Sequence, residues 1–541
     1  MNRRRMLAAL MVLTMLVAML AGCSSSSPAT PASDPTASDA AATPSATDSS
    51  GKTHSKSVSV AFSEGLIKLD PHDQTLSTSI TMIDMVFDTL LESDHAGTYT
   101  PRLAESYSVS DDGLEWTIKV REGVTFHDGE VCNADDVVCT FQRLIDTPTL
   151  ATVVSYWTSL VSVEKIDDYT VKLTLSEPTA AAVMMGLGNT PIIPNEAYEK
   201  YGTSLFTEQI MTGTGPWKFD EWVDGQYVHF TKNENYWNGG NNSYFDDVYI
   251  RFISEASTAI SGQLTGEIDA YYNTSGIPQD LLGLYSGSEN TCELLQVPVS
   301  AIQYLGFQCG EGSVFQDVNV RRAFSMAIDR QGIIDALMNG NGAICDGIAN
   351  DKTLGYDENL HSPYYTYDPE GAKSLLESTG YAGEEIVISS VSAFNTLALA
   401  ICDMVNAVGF NCKAEVVEAA TLLDIRSTGD YDAFIVTAFH TDGDLYQFIN
   451  FRVASDAHTS EYVNEELNAL VKQSNEEPDN AVRDELFKQA NAIIADECAP
   501  MISIAQLQNT QSVNYGITGV EFLGDAFCLL KNISYDPSLV K

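Results

Sequence analysis

Asp111-Asp-Gly-Leu-Glu-Trp-Thr-Ile-Lys-Val-Arg-Glu-Gly-Val-Thr-Phe-His-Asp-Gly129, followed closely by Asn133-Ala-Asp-Asp-Val137, sets a strand, a turn and a helix start side by side. Glu115 to Arg121 alternates strictly, with Trp116, Ile118 and Val120 on one side, as a strand with one buried face must. Asp128-Gly129 closes a turn, and His127 beside it is expected to hydrogen-bond locally. Asn133 is placed to cap a helix whose first-turn acids, Asp135 and Asp136, face the positive end of the helix dipole. Val137, Val138, Phe141, Leu144 and Ile145 supply the buried stripe of that helix. Strand, turn and amphipathic helix in succession read as an α/β chain.

The same alternation extends in both directions. Ser57 to Phe62 has strand periodicity, Leu69-Asp70-Pro71-His72 makes a turn, and Ile80, Ile83, Val86, Phe87 and Leu90 fall on one helical face. Further strands are expected over 169–175, 227–232 and 247–253. Downstream, Asp317 caps a helix through Arg321, Arg322, Phe324 and Ile328, with the two arginines expected to anchor it to loop carbonyls or acids. Asp368-Pro369-Glu370 combines cap, first-position proline and first-turn acid for a helix closed by Gly380. Leu397, Ala400, Ile401, Met404, Val405 and Val408 share a face that ends at Gly409, and Val482, Leu486, Ala490, Ile493 and Ile494 mark a late helix. No internal repeat is evident.

At 541 residues the chain is longer than one hydrophobic core usually supports, so two or more lobes are expected. Lys and Arg number 29 against 74 Asp and Glu, a net charge of −45 that repels phosphate backbones and anionic lipid, so nucleic acid is not an expected partner. Arg3, Arg4 and Arg5, the apolar run Met6 to Leu20 and the ending Leu20-Ala21-Gly22-Cys23 read as a signal peptide over 1–22. That ending is similar to a bacterial lipobox, which implies cleavage before Cys23 and a diacylglycerol on its thiol. Residues 23–57 then form a Ser/Thr/Pro/Ala tether with too little apolar surface to fold. The other nine cysteines show no CxxC pair and no zinc spacing, and most are expected to be buried free thiols.

No catalytic constellation stands out. GxSxG, HExxH, Walker-type and GxGxxG motifs are missing, and Gly213-Thr-Gly-Pro216 lacks the lysine of a phosphate cradle, so it reads as a tight turn between packed elements. The eight histidines are scattered without i, i+4 spacing, which supports no metal site.

Several stretches together resemble the family 5 extracellular solute-binding proteins, the peptide- and nickel-type binding components of ABC importers. They are Pro101-Arg-Leu-Ala-Glu-Ser-Tyr107 with the opening stretch, Leu69-Asp-Pro-His72, Gly213-Thr-Gly-Pro216 with Asn235-Tyr-Trp237, Val320-Arg-Arg-Ala-Phe-Ser-Met-Ala-Ile-Asp-Arg330, and Tyr367-Asp-Pro-Glu-Gly-Ala-Lys-Ser-Leu-Leu376 with Gly380-Tyr381. The likeness begins near residue 58 and runs to the C-terminus. It implies an α/β clamshell of the periplasmic-binding type, type II or cluster C in style. Lobe I would span 58–297 and 506–541, with an extra subdomain at about 101–205, and lobe II would span 298–505. The hinge would lie near Val297-Pro298 and Ile504-Ala505.

The resemblance further implies a non-enzymatic monomer without cofactor, held at the extracytoplasmic face of the cell membrane only by its lipid, that passes a small solute to ABC permease subunits. Short peptides are the first expectation. Nickel chelates, oligosaccharides or opines fit the same scaffold, and a secreted hydrolase or a signalling lipoprotein are alternatives of another class. In peptide-binding members an aspartate just beyond an aromatic meets the solute's ammonium group. The matching stretch is Tyr431-Asp-Ala-Phe-Ile-Val-Thr-Ala-Phe-His-Thr-Asp442-Gly-Asp444, which makes Phe439, His440, Asp442 and Asp444 candidate ligand residues. Phe439 stands where tryptophan is common, and no proline follows Asp444. Tyr271 and Tyr272, where a strand should reach the cleft, either stack on the solute or pack the hinge, and Tyr304 is a further candidate.

Overall fold

A computed structural model describes residues 54–73, 76–150, 154–206, 211–287, 291–439, 443–453, 460–523 and 527–540. The expected signal peptide, Cys23 and the tether as far as residue 53 lie outside the described residues, as do His440 and Asp442; the last four tether residues, 54–57, instead join the fold, because His54 bonds Asp269 at 2.9 Å and Ser57 opens the first strand. In chain order, and apart from four two-residue strands after Asn514, the strands among the described residues are Ser57–Phe62 (β1), Leu91–Ser93 (β2), Tyr99–Pro101 (β3), Ala104–Val109 (β4), Glu115–Val120 (β5), Leu160–Asp167 (β6), Thr170–Leu175 (β7), Trp217–Val223 (β8) and Tyr227–Lys232 (β9). They continue with Asp247–Phe252 (β10), Ala270–Tyr272 (β11), Cys292–Phe307 (β12), Gly342–Ala343 (β13), Glu385–Ser390 (β14), Asn411–Val416 (β15), Ala433–Phe439 (β16) and Met501–Asn514 (β17).

One mixed sheet, ordered β15-β14-β16-β12-β17-β11-β1-β10-β9-β8, carries the fold, with β13 paired to β17. Its centre is the long antiparallel pair β12/β17, in register from Cys292 opposite Asn514 to Gly306 opposite Met501, with a bulge between Pro298 and Ile302. A separate antiparallel sheet, β4-β5-β7-β6, contains the alternating stretch read above. Trp116, Ile118 and Val120 of β5 are buried there, while Glu115, Thr117 and Lys119 face out.

Among the described residues, apolar side chains sort into four cores. One runs from Ile302 to Ile504. A second joins β4, β5 and β7 to helices Ala134–Asp146 and Ala180–Asn189, within Leu90 to Ile192. A third gathers Val58 and Val60 of β1 with Trp217, Phe230, Val248 and the C-terminal Leu530. A smaller fourth lies around Ile260, Ile268 and Tyr271. No helix among the described residues is long and apolar enough to cross a membrane.

The sequence signals place most elements correctly. Asn133 forms a full capping box with Asp136 at helix Ala134–Asp146. Asp136 does more than face the dipole: its Oδ1 accepts from Asn195 N at 2.8 Å, and burial pushes its carboxyl up to about 6. Arg321 donates to the Glu497 and Phe315 carbonyls, and Arg322 pairs with Asp496 at 2.6 Å, as expected of anchors. Three helices are shorter than read. Ser77–Val86 stops before Phe87 because Gly215 N bonds the Val86 carbonyl. Val318–Met326 stops because Asp329 caps a new helix, and Pro369–Glu377 closes at Ser378, ahead of Gly380.

The motifs turn out to be fastened to one another. Asp88, buried after the first helix, accepts from Arg102 Nε at 2.7 Å, Thr214 Oγ1 at 2.9 Å and Trp237 Nε1 at 2.7 Å, and its pairing with Arg102 holds its carboxyl below the usual range despite burial. Three motif segments therefore converge on one carboxylate. His72 donates from Nε2 to the Pro191 carbonyl at 2.8 Å and accepts at Nδ1 from Arg143, which itself pairs with Asp70. His127 is not a local turn bond: it donates from Nε2 to the Gly215 carbonyl at 2.9 Å and accepts from Gly213 N at 3.3 Å, across a long sequence separation. A carbonyl can only accept and a guanidinium or amide only donate, so both imidazoles are fixed as the neutral Nε2–H tautomer. Burial depresses both to about 4. The Gly213-Thr-Gly-Pro216 turn is tight because a Cβ at Gly213 or Gly215 would collide with the Val86 carbonyl.

Candidate functional site

Strand directions locate a candidate site. β1 and β11 run parallel, with β11 antiparallel to β17, while β16 runs antiparallel to β12. The carboxyl ends of β1 and β11 therefore point toward the other half of the sheet, and the carboxyl end of β16 points back. Tyr271 near the end of β11 sits opposite Ser512, and Phe439 at the end of β16 sits opposite Ala301, at the bulge level with Gln506 to Gln508. About five residues of β17 separate the two levels, on the order of 17 Å. Carboxyl ends of strands that face a gap where connectivity changes are where α/β sheets bind ligands.

The ribbon under the gap is polar and internally bonded. Gln511 clamps the end of β11 through both ends of its amide: Asn273 N donates to Oε1 at 3.1 Å, and Nε2 donates to the Asn273 carbonyl at 2.7 Å. Ser512, Tyr285 and Gln263 form a buried triangle of hydrogen bonds at 2.7–2.9 Å. These bonds hold the strand ends in place before any solute arrives, which lowers the ordering cost of binding.

The stretch beyond β16 is pinned at Gly443 and Asp444. Gly443 adopts φ +67°, and a Cβ there would lie 2.5 Å from the Lys352 carbonyl and 2.6 Å from Ala96 Cα, so only glycine fits between the two segments. Ala96 belongs to the β2–β3 hairpin, so that hairpin reaches across to the residues flanking 440–442. Beside it opens a cavity of about 350 Å³ lined by Ser93, Asp94, His95, Thr98, Leu523 and Leu529, among others.

The candidate residues separate by environment. Asp444 is corrected from ligand contact to scaffold: it is 0% exposed, pairs with the equally buried Arg483, and caps helix Leu445–Arg452 by accepting from Tyr446 N at 2.7 Å. Neither carboxylate oxygen is left for a solute. Tyr304 is likewise buried, its ring against Phe434 and Phe448 at 6.0 and 6.3 Å. Tyr271 is buried with its hydroxyl bonded to Asn273 Nδ2 at 3.2 Å, and Tyr272 packs against Phe62 and Phe522. Of the two roles expected for these tyrosines, both take packing. The backbone of Phe439 ends β16, facing the gap.

Sequence reading missed Asp88, Arg483 and Gln511. Asp88 left a trace, an acid inside the apolar run Val86 to Leu91, but Arg483 and Gln511 act on partners distant in sequence. Among the described residues one group could hold a metal: Asp220, Glu221 and His229, on the edge strand β8 and its neighbour β9, away from the gap. The His229 ring nitrogens already meet Asp220 and Asp247, each at 2.9 Å.

Comparison with known proteins agrees with this architecture. Residues 98–459 match the model of bacterial extracellular solute-binding proteins, family 5. Di/tripeptide-binding protein 1 of Pseudomonas aeruginosa is 28% identical, over 81% of this chain and 86% of that protein. Oligopeptide-binding protein AppA of Bacillus subtilis is 26% identical, over 78% and 81% respectively. Among solved structures, HbpA2 from Haemophilus parasuis superimposes with a TM-score of 0.79 at 25% identity, over 89% of this chain and all of that one. A murein tripeptide binding protein, MppA, in its unliganded open form gives 0.79 at 20% identity, over 89% of this chain and 97% of that one. The two-lobed α/β fold and the family are therefore those anticipated from the motifs, and the chain belongs to the bacterial extracellular solute-binding proteins, family 5.

Proposed function

We propose that this protein captures short peptides outside the cytoplasmic membrane and delivers them to the permease of an ABC importer. The observation that carries the reading is the facing pair of strand-end sets, β1 and β11 against β16, across the β12/β17 ribbon, in a chain whose relatives are named for di-, tri- and oligopeptides. Two lobes, 58–297 with 506–541 and 298–505, hinge where β12 and β17 cross, and a peptide bridging them favours closure. Asp442, just past β16, takes the peptide's ammonium group in a charge-assisted bond worth about 1.5–3 kcal/mol. The described residues that follow, Gly443 and Asp444, are pinned by backbone packing and an ion pair, which supports a solute contact at this point of the chain. Cys23 carries the lipid that keeps the domain near its transporter.

The test is a thermal-shift screen of di- to hexapeptides against sugars and nickel chelates. A ligand at about 100 times its Kd stabilises the native state by about 2.7 kcal/mol. Peptides should raise the melting temperature and Asp442→Ala should abolish that rise. A rise with sugars or chelates alone would move the solute to another class.

A further inference from the structure

The thiols of Cys402 and Cys412 face each other at 2.7 Å, inside the van der Waals contact of two sulfurs and approaching the roughly 2.05 Å of a disulfide bond. Cys402 lies on the buried face of helix Asn395–Val408, and Cys412 is the second residue of β15. The backbone between them is fully determined. Gly409 turns the chain at φ +118°, and Asn406 bonds Cys412 twice, accepting from its N–H at 2.6 Å and donating Nδ2 to its carbonyl at 2.9 Å. On its other side Cys412 is registered against Ile386 of β14. Helix and strand thus bring the two sulfurs together without help from a cross-link.

We propose that Cys402 and Cys412 are joined by a disulfide in the exported protein, tying the helix to the edge strand β15 of the large sheet. The two thiols give up two protons and two electrons as the S–S bond forms, and a disulfide oxidant, either an exported thiol oxidoreductase or a small disulfide such as oxidised glutathione, is reduced to two thiols. An extracytoplasmic protein meets such oxidants, whereas a cytosolic one does not keep such bonds.

Timing follows from burial. Cys402 and Cys412 are only 4% and 7% exposed, so an external thiolate cannot reach either sulfur in the folded state. Their mutual contact and burial also hold the Cys412 thiol well above its usual range, which suppresses the reactive thiolate. The bond therefore forms while the helix is still docking, and once folded it is sealed from exchange.

The test uses the full chain exported to an oxidising compartment, purified without reductant and denatured in excess N-ethylmaleimide. Peptide mapping by mass spectrometry should find the Cys402 and Cys412 peptides cross-linked and unalkylated, each taking one maleimide only after reduction in denaturant. Dithiothreitol applied to the native protein should leave the cross-link intact. Recovery of both cysteines alkylated without prior reduction overturns the bond. Reduction as fast in the native protein as in denaturant overturns its sealing. Both readings use the unsubstituted protein, so neither depends on a variant folding.

Discussion

Replacing Asp444 by alanine separates structural from ligand-binding roles within three residues of chain. Asp444 and Arg483 are both 0% exposed, and the guanidinium's Nε is bonded to the Ser474 carbonyl at 3.1 Å. Without the carboxylate, a buried cation is left with neutral partners, which costs about 3–5 kcal/mol. Loss of the cap on helix Leu445–Arg452 adds about 1 kcal/mol. The core around this pair spans Ile302 to Ile504, and for a unit of about 200 residues each kcal/mol moves the melting temperature by about 2–4 °C. Asp444→Ala should therefore melt on the order of 10–20 °C lower in a far-UV circular dichroism scan. Asp444→Asn, which keeps an oxygen for the cap, should recover only the capping part. Asp442→Ala should melt like the parent and lose the peptide response. If Asp444→Ala melted within about 2 °C of the parent and stopped binding peptide, the placement of this carboxylate as scaffold would be refuted.

Three further outcomes are expected. His72 and His127 have folded-state pKa values near 4, below the unfolded value near 6.5, so the unfolded chain binds more protons between those limits; their contribution is complete above about pH 6.5 and fades as pH falls to 4. Each is worth about 3 kcal/mol on that basis, and urea unfolding at pH 6.5 and 4.5 should show the loss, while long-range ¹H–¹⁵N spectra at pH 6 should show two neutral Nε2–H rings; midpoints of titration near 6.5 would contradict this. Asp88→Ala strips the buried counter-charge from Arg102, leaving it only the half-exposed Glu92 at 2.8 Å, and removes the acceptor from Trp237 and Thr214, so it should cost about 3 kcal/mol in denaturant unfolding, with a cost under about 1 kcal/mol ruling out the hub. Gly443→Ala meets both a left-handed backbone and two close segments, so it should displace the 440–442 stretch and weaken peptide binding at least tenfold by calorimetry, and unchanged affinity would detach that stretch from the site.

What was legible in the chain followed from local physics. The period-two burial of Trp116, Ile118 and Val120, the cap at Asn133 and the proline start at Pro369 are each decided within a few residues, and each stands where the sequence put it. The motifs named the family because they are the parts of the scaffold that must meet. Their meeting point was not legible: nothing within reach of Asp88 in sequence says that Arg102, Thr214 and Trp237 converge on it. The same limit explains the misreading of Asp444. An acid in an Asp-Gly-Asp stretch looks solvated until a helix far downstream places Arg483 against it.

That limit has a direction, and it bears on how the site is built. A stretch displayed at a strand end must be held by something, and the described residues that follow β16 are consumed in holding: Gly443 by backbone packing against Ala96 and Lys352, Asp444 by an ion pair and a helix cap. Tyr271, Tyr272 and Tyr304 are spent in the same way on the cores flanking the crossing strands. Residues chosen from sequence for their chemistry are therefore more often the frame of a cleft than its lining, because a frame needs buried aromatics and paired charges as much as a ligand does. On the proposed function, solute specificity then rests on the few groups that the frame leaves exposed at the strand ends.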